Sequence, residues 1–216
     1  MTYEATAFGS RTSQLYLDPL SASTLRTGLR RAVRRIARSE EGLDVTNFGL
    51  LFLASSTPDF VGFWARDSER DNLHVKGSSE EDGILVDISL EDRFLGITKS
   101  SWALEMWIDE VISRDIERKL GVTPGDMRHR IELMEWLLYA SRELISVDDA
   151  FGEEHNSFVT ELMQTIDVLR NRVRHGCRAD LLTLVSMKNV GRARARTLQN
   201  FGVRTPKDFL NLSKND

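Results

Sequence analysis

Two short constellations in the 216-residue sequence carry residue types suited to holding a polyanion. In GDMRHRIELMEW (125–136), a tryptophan follows a histidine at a spacing of seven, with Arg128 and Arg130 flanking that histidine. At about 100° per helical residue, Trp136 lies within roughly 20° of His129 and two turns from it, with Arg128 to one side. An aromatic plane in line with a cation suits a single nucleic-acid strand, because the ring stacks on a base while the cation meets a phosphate. The competing reading is that Trp136 packs against a neighbouring helix, the commoner fate of a tryptophan in a helical protein.

The second constellation is KNVGRARAR (188–196), in which Gly191 precedes Arg192, Arg194 and Arg196. Leu181–Met187, the turn through Gly191, and Arg192–Phe201 closed by Gly202 have the layout of a helix-hairpin-helix. A glycine in such a turn lets a phosphate approach the backbone N–H groups at the start of the second helix. Base-excision glycosylases share this element, with a lysine in the hairpin and an aspartate further on. Here Lys188 precedes the glycine and Asp208 serves as a helix cap, so that reading is set aside.

Other chemistry is not encoded. The sequence has no GxxxxGK[ST], HExxH or GxSxG motif, its four histidines show no ligand spacing, and Cys177 is its only cysteine. The expectation is a chain with no catalytic residues, no metal and no cofactor of its own. The longest apolar run, 49–54, is too short for a bilayer and the first residues do not form a signal peptide, so a cytoplasmic protein is expected.

The charge is uneven. The formal net charge is −4, yet Arg170–Lys207 holds ten Lys and Arg against one acid, Asp180, for +9. The remaining chain holds 19 basic and 32 acidic residues, for −13. A second basic block places six arginines between Arg26 and Arg38. Such clustering fits either a face for a polyanion or helices paired with acidic partners in the same fold, and composition leaves the two even.

The elements that must position these residues are mostly helical. Leu25, Leu29, Val33 and Ile36 predict a helix from about Ala22 to Arg38. Further helices are expected from Thr46, near Pro58-Asp59, over Trp102–Ile108, and from a Ser113 cap to about Gly121. Thr123-Pro-Gly-Asp126 and Thr205-Pro-Lys-Asp208 each carry an N-cap, a proline at the first helical position and a reciprocal acid. The first opens a helix to about Ser146, with Met127, Ile131, Met134, Leu138 and Ile145 facing the core. The second opens a helix that the end of the chain cuts short, as expected of a piece of something longer. Thr12–Leu17 and Ile84–Ile88 read as strands, Asp67–Gly83 as a loop, and Trp64, Trp102 and Trp107 as core residues without cationic partners.

Five blocks, SQLYLDPLSA (13–22), WALEMWIDE (102–110), GVTPGDMRHRIELMEWLLYA (121–140), RVRHGCRADLLTL (172–184) and NVGRARARTLQNFGVRT (189–205), occur in that order. Together they resemble the C-terminal region of archaeal Hjm-type DNA helicases, the Ski-like group of superfamily 2. The resemblance implies a mainly α fold with a short β remnant: residues 1–18 as the end of a winged helix, 19–175 as a helical ratchet domain, and 176–216 as a truncated helix-hairpin-helix-like terminal domain. It implies that Trp136 stacks on a base of an unwound 3′ tail, with His129 standing where the family has an arginine and Arg128 as a substitute cation. It also implies single-stranded or forked DNA as partner, helicase motor domains in cis or trans, a role in fork repair, no membrane, and ATP and Mg only where motor domains are present. Because residues two apart on a helix diverge by about 200°, Gly191, Arg192 and Arg196 are expected to meet phosphate while Arg194 pins the terminal domain to the body. The alternative is a helical interaction module whose basic helices dock on an acidic partner or the motors, and RNA-helicase relatives also share the pattern.

Overall fold

The computed structural model describes residues 4–39 and 45–212, and among these there is no strand. The helices are α1 (Ala7–Gln14), α2 (Pro19–Arg38), α3 (Asn47–Ser55), α4 (Arg70–Ser79), α5 (Glu91–Ile108), α6 (Ser113–Leu120), α7 (Pro124–Ser146), α8 (Asn156–His175), α9 (Leu182–Val185), α10 (Arg192–Asn200) and α11 (Pro206–Leu212). The fold is mainly α, as expected, but the β remnant is not present in residues 4–18. Thr6 caps α1 by accepting the Gly9 N–H at 3.1 Å, and the chain then turns. The alternation that suggested a strand is real but has another origin. Leu15 and Leu17 are buried on either side of Tyr16, which is 91% exposed and in the left-handed region at φ 56°.

Segment 84–88 is extended without a strand partner. Arg35 donates to the Asp82 and Ile84 carbonyls, and Arg31 grips the Asp87 carboxylate, so α2 side chains hold this segment in place of a neighbouring strand. The acidic stretch read as a loop contains α4, whereas the helix expected near Pro58-Asp59 is absent and residues 60–66 have no regular secondary structure. Ser113 is the first residue of α6, and Ile112 occupies the cap position.

Two clusters of buried side chains organise the chain. The larger gathers Leu25, Leu29 and Val33 of α2, Leu104 and Ile108 of α5, Met134, Leu137 and Leu138 of α7, and Leu162, Ile166 and Leu169 of α8. The smaller comprises Cys177, Leu181, Leu184, Val185, Ala195 and Val203. Gly176 separates them in the left-handed conformation, φ 62°, that ends α8, and a Cβ there would run into the Trp107 ring. Only glycine fits both demands. No helix among the described residues is long and apolar enough to cross a membrane.

Candidate nucleic-acid interface

Helix α7 starts as its sequence dictates. Thr123 accepts the Asp126 N–H at 3.2 Å and donates its hydroxyl to the Asp126 carboxylate at 2.7 Å, with Pro124 in the first turn. Its buried face runs through Met127, Met134, Leu137, Leu138, Ala140, Ser141, Leu144 and Ile145, wider than the stripe read from sequence. Ile131 lies partly buried against the core.

Trp136 stands at the edge of that face. It is partly buried against the main core, with buried Ala140 four residues beyond it and exposed Glu132 four residues before it. Packing against a neighbouring helix thus accounts for part of the ring, and the rest of it meets solvent. His129 and Arg128 are exposed beyond it. Arg128 meets Glu132 at 3.5 Å with 85% of its side chain exposed, a contact worth at most about 1 kcal/mol in water and easily exchanged. Arg130 does a different job. Its Nε donates to the Val61 carbonyl at 3.1 Å and its guanidinium sits 4.8 Å above the Phe63 ring, tying the 60–66 segment to α7.

In the terminal domain, the turn before α10 is shaped by Asn189 in the left-handed region at φ 66°. Gly191 is the N-cap of α10 with an ordinary φ of −86°, and a Cβ there would meet nothing within 4 Å. The backbone does not require glycine; what the glycine leaves is open space before the first N–H groups of the helix. Gly202, at φ 86°, closes α10 as the sequence predicts, its N–H bonded to the Gln199 carbonyl at 2.8 Å.

The arginines of α10 divide as the helical angles require, but the face they turn to the body is the other one. Arg192 stacks 4.0 Å from the centre of the Trp107 ring and donates to the Gly176 carbonyl at 3.1 Å. Its burial there pulls the guanidinium pKa below its ordinary value. Trp107 is itself fixed by its Nε1–H, which donates to the Val173 carbonyl at 2.8 Å. Arg196 grips both oxygens of Glu110, with Nε–Oε2 at 2.9 Å, and reaches Asp180 at 2.8 Å. Its hydrogen bonds hold the carboxyls of Glu110 and Asp180 below the usual carboxylate range and raise its own pKa.

Arg194 does not pin the domain to the body. It is exposed, and among the described residues it donates only to the Asn189 carbonyl, at 2.8 Å, in its own turn. Arg192 and Arg196 share a face because they are four residues apart. The body supplies a ring, carbonyls and carboxylates for that face, and Arg194 is left looking outward.

The α2 block takes the less exotic of its two readings. Arg26 and Arg30 converge on Asp148, at 2.9 and 2.6 Å, and that carboxylate is 1% exposed. Burial pushes the Asp148 carboxyl up, but hydrogen bonds from Arg30 and Arg26 outweigh it and hold the pKa at about 2. The tryptophans also correct the sequence reading. Trp107 lies under Arg192, Trp102 lies under Lys119 at 4.2 Å, and Trp64 is 79% exposed. The polar run Arg66–Asp71 immediately after Trp64 was the available sign that its segment lies at the surface.

This geometry is a helical body with an aromatic–cation edge, followed after Gly176 by a small arginine-bearing cluster of helices with its own buried core. The sequence model of the family described as "Archaeal helicase, domain 4" matches residues 48–176. The chain belongs to that family. It is 34% identical over 217 residues to the ATP-dependent DNA helicase Hel308 of Thermococcus kodakarensis, covering 98% of this chain and 18% of that protein. The Hel308 proteins of Pyrococcus horikoshii and Methanocella arvoryzae are 30% and 32% identical over 96% of this chain, and over 27% and 26% of their own lengths. The chain thus spans about a quarter or less of the curated relatives it matches, and its likeness is to the C-terminal region of Hel308-type helicases.

Proposed function

We propose that the chain is the single-stranded-DNA-binding, non-motor C-terminal region of an ATP-dependent 3′→5′ DNA helicase acting at damaged or recombining forks, where it serves as ratchet and exit clamp. The observation that supports this most is the α7 edge, where half-buried Trp136 lies in line with exposed His129 and has exposed Arg128 to one side. The packed flank holds the ring still, so stacking a base costs little ordering of the protein. Arg128 exchanges its loose contact with Glu132 for a phosphate, and exposed His129 adds a weaker polar contact. In the terminal domain, the open backbone at Gly191 and the exposed Arg194 receive the emerging strand, while Arg192 and Arg196 hold α10 at the angle that presents them. ATP and Mg belong to motor domains of the longer protein, which also form its main protein partner. The interaction-module alternative loses ground because Arg26, Arg30, Arg31 and Arg35 of the basic helix all have partners within the fold.

The test is fluorescence anisotropy of a labelled 3′-tailed fork. Binding is expected, with affinity falling steeply as salt rises, and Trp136→Ala is expected to weaken it about fivefold or more. Absence of salt-sensitive binding, together with an inert Trp136→Ala, sinks the proposal.

A further inference from the structure

A groove of about 450 Å³ lies on the outer face of α10, opposite the Arg192–Arg196 face that meets the body. Val190, Ala193, Leu198 and, from α11, Phe209 line it, together with exposed Arg194. Phe201 extends the same face. It follows Arg194 by seven residues and Leu198 by three, so it lies within about 20° of the first and beside the second. Its ring is 78% exposed and that of Phe209 39% exposed, and neither belongs to the small core beneath. Two phenylalanines beside an apolar groove make a contiguous patch, and such patches mark surfaces that another molecule covers.

The charge around the groove is of one sign. Between 181 and 212 the basic residues are Lys188, Arg192, Arg194, Arg196, Arg204 and Lys207, against one acid, Asp208. Arg192 and Arg196 are committed to the body. Asp208 is committed to the start of α11, where its carboxylate accepts the Arg204 and Thr205 N–H groups at 3.0 and 2.9 Å. That leaves exposed Lys188, Arg194, Arg204 and Lys207 as the outward charge. An occupant must therefore be acidic at its margins and apolar where it seats. A nucleic-acid strand meets the first demand but not the second. The polar edges of a base would be buried against Val190, Ala193 and Leu198, whose side chains offer no hydrogen bond. A protein segment with apolar anchors between carboxylates meets both.

We infer that the outer face of α10 is a docking groove for an acidic segment of a partner protein. The apolar side chains of that segment seat against Leu198, Phe201 and Phe209, and its carboxylates meet Lys188 and Arg194. The inference is independent of the proposed DNA-binding function, with which it shares only Arg194.

Selection from a phage-displayed random-peptide library on the immobilised full chain, followed by fluorescence anisotropy of the enriched peptides, tests this. Enriched peptides are expected to carry Asp or Glu flanking Leu, Ile, Phe or Trp, and to bind more weakly as salt rises. Phe201→Ala is expected to weaken them about fivefold and Arg194→Glu about tenfold, while Ala193→Tyr, which builds a ring into the groove, abolishes binding. All three positions are exposed, so thermal melts close to that of the unaltered chain are expected and separate lost binding from lost folding. Enrichment of no peptide, enrichment of peptides without acidic residues, or equal binding by Phe201→Ala and Ala193→Tyr overturns the inference. So does a Phe201→Ala that spares the peptides but weakens binding of oligothymidylate, because the face then belongs to a nucleic-acid strand. Neither the selection nor the peptide titration contains DNA, so failure of this inference and failure of the DNA-binding function are read separately.

Discussion

The chain has two arginine-rich helices, α2 and α10, and they use the same residue type to different ends. In α2, Arg26 and Arg30 close over a carboxylate that is 1% exposed, deep in the contact between α2 and the α7–α8 connection. In α10, Arg192 and Arg196 meet a ring, backbone carbonyls, largely buried Glu110 and half-exposed Asp180 at a joint between two separate cores. The first arrangement is a buried weld and the second a solvent-edged seam. Clustering of arginine in an acidic chain therefore marks ion pairing within the fold at least as readily as a polyanion face. In α10 the arginine left outward is Arg194, on a helix already seated by its neighbours.

The sharpest way to break this contrast is at Asp148. Asp148→Ala removes the buried carboxylate that Arg26 and Arg30 share, leaving them exposed Asp149, and is expected to destabilise the body by about 2–3 kcal/mol, read as a fall in the urea midpoint. The same carboxylate gives the weld a pH signature. Its folded pKa, at about 2, lies below the unfolded value of about 3.8. Its contribution, roughly 2 kcal/mol, is therefore complete above about pH 4 and lost as pH falls towards 2. The stability difference between the unaltered chain and Asp148→Asn should shrink across that window, and a difference that stays constant would refute the assignment.

The seam should respond less. Arg196→Ala, with part of its side chain in solvent and screened, is expected to cost about 1–2 kcal/mol and to couple with Glu110→Ala in a double-mutant cycle. Cys177 reports the same event from inside the small core. Burial pushes its thiol pKa up to about 11, so it should react slowly with thiol reagents in the unaltered chain and faster in Arg196→Ala. Equal rates would mean that the seam does not hold the small core closed. The smallest effect is expected at Arg194. Arg194→Ala should leave stability within about 0.5 kcal/mol while lowering the salt slope of DNA binding by about one.

Much of this was legible in the sequence because it depends on local rules. The caps at Thr46, Thr123 and Thr205, the stop at Gly202 and the shared face of Arg192 and Arg196 follow from spacing alone. What failed depends on distant partners. Alternation at Leu15–Leu17 cannot say whether a strand or a post-helical turn produces it, and the partner of each arginine lies up to 123 residues away. The α7 edge was visible as a juxtaposition of Trp136 and His129, but its half-buried state comes from packing that no periodicity specifies. Trp64 was misjudged because its apolar neighbours Phe60 and Phe63 are buried while it is exposed, in a segment with no regular periodicity to separate them.

Gly176 carries a mechanical consequence. One residue there both stops α8 and leaves the gap that the Trp107 ring fills, and the Arg192 guanidinium caps the ring. The bearing of the terminal domain is thus set by a ball-and-socket a single methyl group wide. A methyl added at this pivot would drive the ring outward, dislodge the guanidinium and re-aim everything beyond it, while both cores keep their own packing.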